Sequence, residues 1–239
     1  MVNSRHARAI NNWLFHIPLT LYPPRCRLCD APGADGVDLC RGCRADLPWN
    51  TPCCPRCALP ADGMRACPCH QQPLPFRAAV VPLRYEGAVE SLISSFKFHG
   101  RLADGQLLGT LLAEALEGSE GVLPEAVVPV PLHAGRLRQR GFDQTAELAQ
   151  ALRRALDPLP LCRALRRRRG DARQATRAAR ERRSGIRGAF TVHRRRSLPG
   201  HVALLDDVVT TGATAAEAAR TLRVAGVHRV DLWALARTP

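Results

Sequence analysis

Nine of the ten cysteines of this chain fall between Cys26 and Cys69, and the tenth, Cys162, stands alone. Between them lie Pro, Gly and Asp rather than an apolar core, so metal or covalent bonds must supply the folding energy there. Cys26-x2-Cys29 and Cys40-x2-Cys43 are paired knuckles separated by ten residues. That spacing lets four thiolates converge on one tetrahedral Zn²⁺. Cys54-x2-Cys57 and Cys67-x-Cys69 form a second set with a tighter last pair, where Cys53 or His70 is an alternative ligand. A disulfide framework would need an oxidising compartment, and knuckle spacing argues for metal instead. Structural Zn²⁺ at both sets would lower the formal net charge of +14 to about +10.

After Cys69 the composition changes. Residues 71–76 read as a Pro-bearing linker, and from Ala78 onward strands and helices alternate. Val89, Leu92, Ile93 and Phe96 form one helical face; Leu107, Leu108, Leu111, Leu112 and Ala115 form another. A strand is predicted over Ala126–Val130, a helix from about Asp143 to Leu156, strands near Phe190, Val202 and Val230, and a helix after Gly212. The expected division is an N-terminal helix with the cysteine block over 1–75, then an α/β domain over 76–239. Strands alternating with helices argue for a parallel sheet flanked by helices, with ligands at the C-terminal strand ends.

One such end is legible. Val202-Ala203-Leu204-Leu205 reads as a buried strand, followed by Asp206 and Asp207 and then by Val208-Val209-Thr210-Thr211-Gly212-Ala213-Thr214. A helix opening behind Thr hydroxyls and a glycine is an anion site. Two carboxylates beside it suit sugar hydroxyls and Mg²⁺ rather than a bare phosphate. A phosphorylated sugar carrying a metal satisfies both halves, whereas an ordinary capped βα turn uses the same residue types without a ligand.

Of the 35 basic residues only Lys97 is lysine. Coding bias accounts for much of that preference but not for the excess positive charge, which points to phosphate-rich partners. Residues 131–141 read as a basic, Gly-bearing loop after a strand, with His133, Arg136, Arg138 and Arg140 as candidate anion contacts. Residues 163–187 are very basic and poor in apolar side chains. A flexible flap, a nucleic-acid strip and a merely solvated segment all share that composition. No stretch approaches the ~20 apolar residues of a membrane span. Near the N-terminus, Ile10, Trp13, Leu14 and Ile17 have helical spacing, while His16 and Pro18 interrupt the apolar run. No signal peptide is expected, and the cytoplasm is the expected location.

Taken in order, these features resemble a known family. Strand, Asp206-Asp207, two small residues and Thr210-Thr211-Gly212-x-Thr214 look like the PRPP-binding motif of type I phosphoribosyltransferases. The cysteine block, Leu83-Arg84-Tyr85-Glu86-Gly87, Phe96-Lys97-Phe98-His99-Gly100, Val130-Pro131-Leu132-His133 and Arg140-Gly141-Phe142-Asp143-Gln144 extend the likeness over nearly the whole chain. The chain resembles the ComF (ComFC) family, competence-associated phosphoribosyltransferase-like proteins with an N-terminal zinc ribbon. The resemblance implies a type I phosphoribosyltransferase fold. It also implies ribose hydroxyls on Asp206 and Asp207, the 5′-phosphate on Thr210, Thr211, Gly212, Ala213 and Thr214, and pyrophosphate near His133, Arg136, Arg138 and Arg140. The family usually has Asn where Asp143 stands. PRPP with Mg²⁺ is the implied ligand and pentosyl transfer the implied chemistry. Single-stranded DNA and a competence helicase are the implied partners. A non-catalytic adaptor or a PRPP-sensing regulator on the same fold are the alternative readings.

Overall fold

The computed structural model describes residues 23–63, 66–71, 73–119, 121–156, 159–168, 186–193 and 198–239. The helix expected around Trp13 and most of the basic segment 163–187 lie outside the described residues. Two compact units divide after Leu47.

Both units contain the same knuckle. In the first, Cys26 N donates to Ala31 O at 2.8 Å, Asp30 N to Cys26 O at 2.9 Å and Gly33 N to Pro24 O at 2.7 Å. In the second, Cys54 N donates to Leu59 O at 2.9 Å, Ala58 N to Cys54 O at 2.7 Å and Ala61 N to Pro52 O at 3.0 Å. Asp30 and Ala58 occupy the same place in the two turns, and both have positive φ, 61° and 54°. Helix α1 (Arg41–Ala45) starts at Cys40, whose sulfur accepts from Cys43 N. The second knuckle sits in the larger unit. There Asn50 Nδ2 donates to Ala58 O and Val81 O, and Ala79 N donates to Pro55 O.

The larger unit is a parallel sheet flanked by helices. Its strands are β1 (Ala79–Val80), β2 (Leu83–Arg84), β3 (Ala126–Pro129), β6 (His201–Val209) and β7 (Arg229–Arg237). Their order is β1-β7-β6-β3, with β2 continuing β1's pairing on β7, and every pairing is parallel. Helices α2 (Gly87–His99), α3 (Leu102–Glu117), α4 (Ala134–Arg140), α5 (Gln144–Ala155) and α6 (Ala213–Val224) connect or cover the strands. A short antiparallel pair, β4 (Leu165–Arg167) and β5 (Phe190–Val192), stands outside the sheet.

Strand alternation assigns the faces. Val202, Leu204, Val230, Leu232 and Ala234 share a core with Ala215, Ala218, Ala219 and Leu222 of α6. Ala203, Leu205 and Leu235 point the other way and are also buried, on the side where α3 and α5 pack. A strand covered on both faces has to be apolar throughout, which is why Val202–Leu205 reads as an unbroken run. In one respect the expectation is corrected. The acidic pair does not stand past the end of the strand, because β6 goes on pairing with β7 as far as Val209 opposite Arg237.

Within residues 131–141, Ala134–Arg140 form the helix α4 rather than a loop. His133 Nδ1 accepts from Gly135 N at 3.1 Å as N-cap, and Gly141, with φ 77°, closes the C-terminus. Among the described residues no helix is long and apolar enough to cross a membrane. Helices α3 and α5 approach so closely that a Cβ added at Gly109 would lie 2.7 Å from Ala151 Cβ. Gly109→Val is therefore expected to cost about 1–3 kcal/mol by overpacking, read as a lower denaturant midpoint at unchanged slope.

Candidate functional site

The C-terminal ends of β3 and β6 form one edge, held by Val130 N donating to Leu205 O at 2.8 Å. Thr145 Oγ1 donates to Val130 O, which fixes the start of α5 against that edge. Gln144, beside it, is buried and donates through Nε2 to Asp207 Oδ2 at 2.7 Å. Lys97, from α2, reaches the same oxygen at 2.9 Å. The other Asp207 oxygen accepts from Val208 N at 2.6 Å. Asp207 is thus a buried carboxylate saturated by a cation and two N–H donors.

Asp206 differs. Among the described residues its only direct partner is Asp207 N, 2.9 Å from Oδ1. Burial and then the neighbouring Asp207 carboxylate push its pKa up to about 7, while Lys97 and Arg167 pull the other way. Two adjacent acids have been separated into an ion-paired one and one whose pKa is pushed up to about 7.

Past Val209 the chain turns outward. Thr210 and Thr211 are exposed, and Gly212 enters α6 at φ 73°. A Cβ on Gly212 would meet only Val209 Cγ1, at 3.9 Å, so it is the backbone conformation that asks for glycine. The Gly212 N-cap has no side chain to satisfy the first turn, and Ala213 N reaches Thr211 Oγ1 only at 3.4 Å. The start of this twelve-residue helix, without a capping side chain at Gly212 and flanked by Thr210, Thr211 and Thr214, has the chemistry to receive an anion.

Of the four residues expected to meet pyrophosphate, His133 caps α4, and Arg136 and Arg140 share one side of that short helix at i,i+4. Arg138 falls on the other side. Arg140 lies over the Phe98 ring at 4.7 Å, and its buried Nη1 has no partner. Burial depresses the Arg140 pKa, Asp207 opposes that shift and Arg136 adds to it. Asp143 accepts from Thr145 N and Ala146 N as N-cap of α5, a task that Asn and Asp do equally well.

Three site residues escaped the sequence reading of the pocket: Lys97, Gln144 and Arg167. Arg167, on β4, lies over the Phe190 ring at 5.4 Å. Burial and then Arg136 lower its pKa, and Asp206 opposes the shift. The one lysine of an arginine chain was the available signal for Lys97. Nothing local marks Gln144 or Arg167, because helix and strand placement alone brings them to the acids.

Each cysteine set converges. The sulfurs of Cys26, Cys29, Cys40 and Cys43 lie within 4.8 Å of one another, as do those of Cys54, Cys57, Cys67 and Cys69. Cys29–Cys40 and Cys54–Cys69 are 3.6 Å apart and Cys57–Cys67 3.4 Å. Tetrahedral Zn–S bonds of ~2.3 Å require S···S edges of ~3.8 Å. Cys53 and His70 stand outside the second set. Burial works against ionisation of Cys54, but the backbone amides of Arg56 and Cys57 bring its pKa down to about 6. Cys57, by burial and the Cys67 thiol, goes up to about 11 against the Leu59 backbone. Thiols that oppose one another's ionisation need a cation before all four become ligands. The donor sets fit structural Zn²⁺, whose role is to hold the knuckles folded.

Residues 19–71 match the double zinc ribbon domain family. The chain is 35% identical over 226 residues to DNA utilization protein YhgH of Escherichia coli (strain K12), covering 90% of this chain and 98% of that protein. It is 32% identical over 207 residues to competence protein F of Haemophilus influenzae, covering 83% and 90%. Competence protein ComFC of Streptococcus pneumoniae is 28% identical over 153 residues, 64% of this chain and 65% of that one. Among solved structures, the allosteric regulatory enzyme of purine biosynthesis aligns at 21% identity and TM-score 0.41, over 60% of this chain and 30% of its own. Glutamine phosphoribosylpyrophosphate amidotransferase from B. subtilis aligns at 19% and 0.41 over the same shares. Likenesses of that strength add nothing to the sheet topology itself.

Two outcomes are expected. Metal analysis should return two zinc ions per chain, falling to one in Cys54→Ser. Asp206 binds its proton more tightly folded than unfolded, where 3.8 is ordinary, so stability falls as pH rises from about 4 to about 7. Asp206→Asn should then raise the thermal midpoint over wild type by a few degrees above pH 7, an advantage that fades as pH drops to about 4.

Proposed function

The chain belongs to the family of DNA utilization protein YhgH and competence protein F, and from that premise we propose that it binds Mg²⁺-PRPP at the C-terminal edge of the sheet and transfers the phosphoribosyl group. The observation that carries this reading is the juxtaposition, within one strand end, of an acid pair and a helix N-terminus opened by a left-handed glycine that offers no capping side chain.

In this reading the 5′-phosphate accepts from the amides and hydroxyls of Thr210 to Thr214. Ribose hydroxyls donate to Asp206, which is free to accept once ionised, and Asp207 braces the wall behind it through Lys97 and Gln144. Arg136 and Arg140 meet the pyrophosphate, while Arg138 faces away. The magnesium ion travels with PRPP and neutralises part of the leaving group's charge. As the bond from C1 to pyrophosphate breaks, positive charge grows on the ribose ring, and the Asp206 carboxylate stabilises it electrostatically. A nitrogen nucleophile then takes the ribose 5-phosphate. Arg167, on β4, is a further cation whose charge Asp206 favours.

A second reading, a DNA- or helicase-binding adaptor without turnover, is favoured by the exposed Arg136, Arg138, Arg166 and Arg168 and by the names of the relatives. DNA uptake fits either reading. Calorimetric titration with Mg²⁺-PRPP separates them. Binding that is lost in Asp206→Asn/Asp207→Asn, and weakened roughly tenfold or more in Lys97→Met, supports the transferase. A folded wild type that binds no PRPP points to the adaptor.

A further inference from the structure

Leu102 is the first residue of α3 and is 50% exposed, whereas Leu107, Leu108, Leu111 and Leu112 of the same helix are buried. It lines a furrow between α3 and α5, together with Gln106 and with Glu147, Gln150, Ala151 and Arg154. The furrow measures about 120 Å³. Small-molecule pockets run to ~300–1,000 Å³, so this one has room for a side chain rather than a metabolite.

Glu147 and Arg154 stand on one face of α5, because seven residues make nearly two turns. That spacing exceeds the i,i+3 and i,i+4 separations at which helix side chains pair. Among the described residues neither forms an ion pair. The furrow thus presents one carboxylate, one guanidinium and an exposed leucine, all without partners of their own kind.

This pattern is complementary to itself. Glu147 and Arg154 lie equally far from the midpoint between Gln150 and Ala151. When a second α5 lies antiparallel to the first across a two-fold axis at that midpoint, Glu147 of each copy faces Arg154 of the other. Gln150 of each copy then lies close to the axis, where an amide both donates and accepts. Copies of a chain with a net charge of +14 repel one another unless they meet where their charges cancel, and this furrow carries one of each sign.

We propose that the α3–α5 furrow is the surface through which two copies of this chain associate. Reciprocal Glu147–Arg154 pairs fix the register, and Leu102 of each copy is covered by the other. The furrow contains none of the residues assigned to PRPP, so the inference stands apart from the transferase reading.

The test is sedimentation velocity of the zinc-loaded full chain in a dilution series reaching about 0.2 mM, where a micromolar dimer is expected for wild type. Glu147→Arg and Arg154→Glu each set like charges together at both ends of the contact, and each is expected to weaken the dimer roughly tenfold or more. The double variant Glu147→Arg/Arg154→Glu reverses both signs and should return to within about threefold of wild type. Mixing the two single variants is the sharper arm. One copy then offers two arginines and the other two glutamates, so a heterodimer should form where neither variant associates with itself. Leu102→Asp, in a first helical turn that favours an acid, should be monomeric with an unchanged thermal midpoint. A wild type that stays monomeric throughout overturns the proposal. So does a dimer that the single variants leave intact, or one that neither the double variant nor the mixture restores. Should a charge variant not fold, Leu102→Asp decides, and a dimer that survives it sinks the idea.

Discussion

The ion pair between Lys97 and Asp207, closed by Gln144, is the interaction on which the site depends. An inner strand covered on both faces has no room for an uncompensated charge, yet β6 carries two carboxylates in succession. Lys97 and Gln144 give Asp207 a complete set of partners, and they come from two different helices. Asp206 lacks such partners, so burial first and the Asp207 charge second push its pKa up to about 7. The pair is therefore a rigid base and an adjustable acceptor, not two equivalent ligands.

Around this point the other elements have clear duties. Val130, Thr145 and Leu205 pin β3, α5 and β6 together at the strand ends. Gly212 permits the sharp entry into α6 that leaves its first amides open. Arg140 and Arg167, each resting on a phenylalanine ring, bring positive charge toward the acids without neutralising them directly. Arginine suits such half-buried positions, since its plane stacks on an aromatic face and stays charged where an ammonium would resist desolvation.

The cysteine sites follow a different logic. The same hydrogen-bonded turn appears twice, and each copy brings its thiols to a common point. One copy stands in the smaller unit. The other is bonded through Asn50 and Ala79 into the larger one, so a metal bound there shares a framework with the sheet.

Local chemistry made much of this legible in the chain itself. Thiol spacing determined the two metal sets, although the choice of Cys54, Cys57, Cys67 and Cys69 over Cys53 or His70 was settled only by the folded turn. The apolar run Val202–Leu205 and the periodic faces of α2 and α3 determined the parallel sheet and its helices, since a buried strand and an amphipathic helix each leave a fixed period. Tertiary structure decided what periodicity does not encode. Pairing with β7 carried β6 through both acids to Val209; His133 and Gly141 capped as a helix what composition reads as a loop. Lys97, Gln144 and Arg167 acquired their places because strands and helices distant in sequence meet at one sheet edge, and no local pattern records which distant side chain will face a given charge.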